Sequence, residues 1–258
     1  MNTIAAADVY RVIAPEAAYV MACIGGALGL RCVNRALLVT EGGRAGWLAL
    51  GAASLGCGVW TMHFVALTGF RVPGARIGYD LPLAAVSLAV AIAVFGIAFV
   101  VIARRGATPR SLTAVGVLTG LGIAAMHRTG MAAIRMQGHL EYRPAVVALS
   151  VLVAVAAATV ALWTSVSVHT FAARCGAVLL MGFAMTGTHY TGIAAVIPHA
   201  DRTAAPPPGL SPASLLFPML IGPVLFLILA TAVVLLDPLL VLGKGDWSRP
   251  SSPRDRPA

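Results

Sequence analysis

The chain has 258 residues, 59% of them hydrophobic and 10% charged, with a formal charge of +9. Soluble domains carry roughly 25% charged residues, so the composition excludes an ordinary water-soluble globule and points to lipid as the main solvent. The positive charge does not imply nucleic acid as a partner, because the arginines sit at the ends of apolar runs and in a proline-rich tail rather than along one stripe, where they set membrane orientation.

About 20 apolar residues cross a hydrocarbon core of about 30 Å, and seven runs of roughly that length follow in order. After a polar start at residues 1–11, the first goes from Val12 to Leu30 and on toward Leu38, interrupted by Arg31 and Arg35, which can snorkel to a polar face. The others are Trp47–Phe70, Leu81–Ala103, Ser111–Ile134, Pro144–Val168, Cys175–Ile197 and Leu215–Leu236, the last preceded by a proline-rich loop at 204–209. The expected fold is an all-α integral membrane protein with seven transmembrane helices. Residues 1–11 form an N-terminal extracytoplasmic segment, 12–236 one membrane domain, and 237–258 a cytoplasmic, partly disordered tail. Lys and Arg favour the loops after helices one, three and five and the tail, which places the N-terminus outside and the C-terminus inside. No cleavable signal peptide is expected, since Asp8 and no basic start precede the first run. Cys23, Cys32, Cys57 and Cys175 form no CxxC pair and no zinc spacing, and read as small buried hydrophobes.

Three histidines break the apolar pattern. His63, His127 and His189 stand near the ends of the second, fourth and sixth runs, 64 and then 62 residues apart. That spacing is one helix pair, so the chain reads as three parallel two-helix repeats plus one C-terminal helix. All three histidine helices then run the same way, and their rings reach similar depth in one leaflet. An imidazole facing hydrocarbon would leave its nitrogens unpaired, so the rings should point into the bundle. Gly56, Gly120 and Gly182 stand seven residues before the histidines, and Gly58 and Gly122 five before the first two. Their lack of side chain suits close helix packing. The alternative for each histidine is structural: a ring bonded to backbone or a hydroxyl between helices. His139, His169 and His199 read as loop residues, and Trp60 and Tyr190 as interfacial aromatics.

Imidazole and thioether together suit copper, the thioether favouring Cu(I). Met62 and Met126 directly precede His63 and His127. Met131 follows His127 by four residues and Met185 precedes His189 by four, each one turn along the same face. The candidate metal ligands are therefore His63, His127 and His189, with Met62, Met126, Met131 and Met185.

The stretches Trp60-Thr61-Met62-His63-Phe64, Ala125-Met126-His127-Arg128-Thr129-Gly130-Met131 and Gly187-Thr188-His189-Tyr190-Thr191-Gly192-Ile193 resemble the three Met-His-Tyr-Thr-like motifs of the MHYT family of bacterial integral membrane signalling domains. The resemblance covers about Val12–Leu236. It implies a multi-pass protein of the bacterial inner membrane, copper bound through these His and Met residues, and a response to oxygen, carbon monoxide or nitric oxide. The sequence departs from the motif at Phe64, Val65, Ala66 and Leu67 in the first copy, at Arg128 in the second, and at Thr188 and Ile193 in the third. A His-dominated site, less selective for Cu(I), is what the motifs leave. Arg128 sets a cation beside a candidate cation ligand unless it turns to water or pairs with Glu141. Many family members carry cytoplasmic cyclase, phosphodiesterase or kinase domains. Here a short tail follows the last run, so no enzymatic activity is expected and output passes to a signalling partner protein. The rival readings are a membrane metal transporter, which would need a polar path across the bilayer, and a membrane oxidoreductase, for which three histidines cannot make two bis-histidine haem pairs.

Overall fold

Among the described residues the chain forms seven helices and four short strands, the strands lying in the connections between helices. The structure, a computed structural model, describes residues 2–39, 41–106, 108–167, 171–201, 203 and 212–237. The proline-rich loop at 204–209, His169 and the tail from residue 238 lie outside the described residues. The helices are α1 (Asn2–Leu38), α2 (Glu41–Leu67), α3 (Leu81–Arg105), α4 (Pro109–Ala132), α5 (Pro144–Ser167), α6 (Phe171–Ala194) and α7 (Pro212–Leu235). The strands are β1 (Ile77–Tyr79), β2 (Ile134–Met136), β3 (Gly138–Tyr142) and β4 (Val196–Ala200). Residues 2–11, read as a separate polar start, are the first turns of α1.

Local chemistry sets the helix ends. The Asp80 carboxylate accepts the Leu83 N–H at 3.0 Å at the start of α3, and the Thr108 hydroxyl accepts the Ser111 N–H at 3.3 Å at the start of α4. Each satisfies a donor that the first helical turn leaves open. A proline follows each cap in the first turn, where its missing N–H has no cost. Gly106, at φ +72°, takes the chain out of α3.

Each helix from α1 to α6 packs on the next, and α6 returns to α1, closing a ring; α7 lies outside it against α1 and α2. α2 is the central element: 78% of its apolar stretch is buried inside the protein, against 17% for α5. Small residues permit this. A Cβ built on Gly25 of α1 would lie 2.6 Å from the Gly58 Cα of α2, so backbone rests on backbone there.

Among the described residues five helices are long and apolar enough to cross a membrane: Ile13–Leu38, Gly43–Leu67, Leu81–Arg105, Pro109–Ala132 and Pro144–Trp163. The apolar part of α7, Leu220–Leu235, is shorter, and α6 carries His189, Thr186, Thr188 and Thr191 in its last turns. Large side chains such as Leu152, Trp163, Phe183 and Leu236 are exposed on the outside of the bundle, which suits lipid and not water. The protein is an all-α, multi-pass membrane protein in its helical body.

The strands were not expected. β1 pairs antiparallel with β2, and β3 with β4. They lie in the connections that follow α2, α4 and α6, and so gather over the face where the three histidine helices end. Connections crossing a bundle must satisfy their own backbone N–H and C=O groups, and pairing with one another does that. His139 and His199, read as loop residues, are cross-strand partners.

Several side chains also depart from the sequence reading. Trp60 is not interfacial. It is 2% exposed, and its indole N–H lies 2.9 Å from both the Ser87 hydroxyl and the Ala84 carbonyl of α3. Cys32 and Cys57 are buried, but Cys175 is exposed. Arg35 does not snorkel; its guanidinium meets the buried Asp237 carboxylate at 2.6 Å, tying the end of α1 to the end of α7, and lies over the Trp47 ring.

Candidate metal centre

α2, α4 and α6 end at the same face, and each sets its histidine about one turn before its end. The result is a buried cluster of three imidazoles. His63 is 0% exposed, His189 2% and His127 7%. The ring planes stand nearly perpendicular to one another, at 83–89°, with centroids 4.8–5.2 Å apart. His63 Nδ1 lies 2.9 Å from His189 Nδ1 and 3.2 Å from His127 Nδ1. Candidate ligand atoms of all three fall within 4.8 Å of one another.

Such a cluster is awkward without something at its centre. A neutral imidazole has one N–H and one lone pair. Both short Nδ1 contacts run through His63, so its single lone pair or single N–H must serve two partners in a medium of low dielectric. Moving the hydrogens outward solves nothing locally, because the Nε2 atoms of His63 and His189 are buried and without a partner. Each buried, unpaired polar atom costs about 1–3 kcal/mol. The Nδ1 partners are the other histidines, not the carbonyls or hydroxyls of a structural role. A cation between the rings removes the conflict. Imidazole nitrogens sharing one ion at about 2.0–2.1 Å stand about 3.3–3.6 Å apart, a few tenths of an ångström wider than the two contacts to His63 Nδ1. The donor set therefore fits a late first-row transition metal.

Two glycines make room for the rings, and the sequence reading passed over both. A Cβ on Gly130 of α4 would strike the His63 ring, and a Cβ on Gly192 of α6 would strike the His127 ring. Each glycine stands three residues after its own motif's histidine, so each motif carries one ring and makes space for another's. The signal was present as His-x-x-Gly in the second and third motifs. Gly56, Gly58, Gly120, Gly122 and Gly182, by contrast, face odd-numbered helices. Their nearest neighbours across the interface are Ile92, Gly25, Val155, Val94 and Cys23 respectively.

The four candidate methionines are all buried: Met62 at 2%, Met126 at 1%, Met131 at 1% and Met185 at 6% exposed. Met185 lines an apolar cavity of about 40 Å³ on the side of the triad away from the strands, together with Met181, Ile123, Phe95 and Thr188. Met131 lines an open cleft of about 330 Å³ under the strands, with Arg128, Arg135, Met136, His139 and Tyr142. Met62 and Met126 adjoin a triad histidine in sequence, and so point about 100° away from it round their helices.

Arg128 reaches to the strand side of the triad. Its guanidinium turns outward over the Tyr142 ring, 3.9 Å from the centroid, where a cation is attracted to the ring face. Burial raises the Tyr142 phenol above its ordinary value, with Arg128 opposing that rise. Glu141 pairs instead with His199. Arg135 meets Asp80 at 2.6 Å and, with the Leu83 N–H, holds that carboxyl below its ordinary range.

A family model described as the bacterial signalling protein N-terminal repeat, MHYT, matches the chain twice, over residues 56–115 and 120–178. The chain carries two copies of the MHYT repeat. The first match contains His63 and the second His127. His189 follows beyond both, on the helix that completes the triad. The chain is 41% identical over 58% of its length to the bifunctional diguanylate cyclase/cyclic di-GMP phosphodiesterase MucR of Pseudomonas aeruginosa, and 38% identical over 70% to the cyclic di-GMP phosphodiesterase NbdA of the same species. It is 31% identical over 63% of its length to the signaling protein YkoW of Bacillus subtilis. The matched part spans 22%, 24% and 21% of those relatives. No solved structure matches the chain.

Proposed function

We propose that this MHYT protein is a seven-span sensory domain of the bacterial inner membrane whose histidine triad holds copper and responds to a diatomic gas (oxygen, carbon monoxide or nitric oxide) or to redox state. The observation that carries the reading is the triad itself: three buried imidazoles from three sequence repeats, with the Nδ1 atoms of His127 and His189 both within 3.2 Å of His63 Nδ1. His63, His127 and His189 would hold the ion, and the thioethers of Met62, Met126, Met131 and Met185, which flank these histidines in sequence, would bias the site toward copper where they reach it. When bound, the metal supplies an open position for a small neutral ligand. The residues of the chain do the rest. Gly130 and Gly192 let the rings approach, α2 excludes water from the centre, and the strand pairs cover the outer side.

A change at the triad reaches three helices at once, since each ring belongs to a different one. In this reading the N-terminus and the strand pairs lie outside, the end of α7 lies inside, and output passes to a partner protein or an attached domain. The kinship to proteins named as cyclic di-GMP enzymes makes second-messenger turnover the natural output class. The transporter alternative finds no support in the cavity beyond the triad, where Thr119 and Thr188 are the polar lining residues among fifteen. The test is spectroscopic. Copper-loaded protein in detergent is followed by absorption and electron paramagnetic resonance under argon and then under carbon monoxide, nitric oxide or air. The account expects a ligand-dependent spectral change that is lost in His63→Ala. Identical spectra under every gas would refute gas sensing at this site.

A further inference from the structure

We propose that the β3–β4 strand pair carries a second, solvent-facing metal site, formed by His139, Glu141 and His199, for a divalent ion that prefers imidazole, of the zinc(II) or copper(II) class. His139 and His199 stand opposite each other in register, one on each strand. Their rings lie stacked, with centroids 4.9 Å apart and planes 20° from parallel. Glu141 is two residues from His139, hence on the same face of the strand, and its Oε2 lies 2.9 Å from His199 Nε2. The His199 Nε2–H thus donates to a carboxylate, which fixes the tautomer and leaves the Nδ1 lone pair free for an ion. A carboxylate behind a histidine is the usual support of a ligating imidazole. The stacked partner ring supplies a second nitrogen within a small rotation. His199 and Glu141 are 47% and 61% exposed, so the site is open to water and chemically separate from the buried triad.

Its position gives it a consequence. β3 follows α4 and β4 follows α6. An ion bridging the strands ties together the outer ends of the helices that carry His127 and His189. It also sits at the rim of the cleft lined by Met131 and Met136. The inference does not rest on metal binding by the triad.

The test is a zinc(II) titration of the detergent-purified full chain against a chromophoric chelator, with copper(II) as a second probe. The double variant His139→Ala/His199→Ala is expected to bind one equivalent fewer than the wild type, with its thermal unfolding unchanged because both side chains are exposed. Glu141→Gln is expected to weaken that equivalent about 10–100-fold. A variant lacking all three triad histidines keeps it. Equal stoichiometry and affinity in the wild type and the double variant would overturn the site, and an unchanged Glu141→Gln would overturn the part given to Glu141.

Discussion

Gly130→Ala is a small change with a large expected effect, because of where its new methyl group must go. A Cβ on Gly130 would lie 2.9 Å from His63 Cδ2 and 3.3 Å from Cε1, and closer still to Nε2. The ring cannot yield easily. His63 is fully buried, its other nitrogen faces two more rings, and Phe64 packs edge-on against it at 4.9 Å. Overpacking of this kind costs about 1–3 kcal/mol. The helix gains back about 0.5–1 kcal/mol from replacing glycine by alanine, so the net loss of stability should be about 0–2.5 kcal/mol. Metal binding should suffer more than stability, because the displaced group is a proposed ligand. Loss of a ligand's support typically costs about 10–100-fold in affinity. The assay is copper affinity by competition, together with thermal unfolding in detergent. Gly192→Ala, which strikes His127, should behave alike. Gly187→Ala is the control: it lies two residues from His189 on α6, yet nothing stands within 4 Å of its added Cβ. If Gly130→Ala and Gly192→Ala bound copper as tightly as Gly187→Ala, the placement of the rings against these glycines would be refuted.

Other outcomes follow from the same structure. Asp237→Asn leaves Arg35 without its buried partner and should destabilise the protein by about 3–5 kcal/mol, whereas a double replacement by apolar residues should restore much of the loss; thermal unfolding of the three proteins checks this. Asp80 should stabilise the fold in a pH-dependent way. Its folded pKa lies below the ordinary value through Arg135 and the Leu83 N–H, so its contribution is complete above the unfolded value of about 3.9 and fades as pH falls through the folded one. The stability gap between wild type and Asp80→Asn should therefore narrow below about pH 4 and stay constant above it. Gly58→Ala sets a side chain against the Gly25 backbone, which cannot move aside as a side chain can, and should cost at least about 1–3 kcal/mol. For orientation, a cysteine at Arg76 should react with an impermeant maleimide in intact cells, and one at Arg105 only after permeabilisation. The reverse pattern would invert the topology.

The triad was legible in the sequence because two independent periodicities agreed. Hydropathy marked the runs, and the spacing of His63, His127 and His189 placed one imidazole at the same end of every second run. Helix existence was equally legible, since lipid demands long apolar segments and tolerates few alternatives. Contacts made through loops were not. β1–β4 are strands of three to five residues, too short to show an alternating pattern, and each exists only because another connection lies beside it. The roles of His139, His199 and Glu141 depended on that pairing. Trp60 was misplaced because an indole suits both an interface and a core, and its Ser87 partner lies a helix away. The fate of Arg35 turned on Asp237, which is 202 residues distant along the chain. Gly130 and Gly192 were passed over because a glycine inside a motif says that something comes close, not which ring does.

Metal content of the purified protein tests the central claim most directly. Wild type and a His63→Ala/His127→Ala/His189→Ala variant are purified in detergent, loaded with copper, washed and measured by elemental analysis and copper spectroscopy. The account predicts a copper equivalent bound through imidazole nitrogen in the wild type that is missing from the variant. The same sub-stoichiometric copper in both would contradict it.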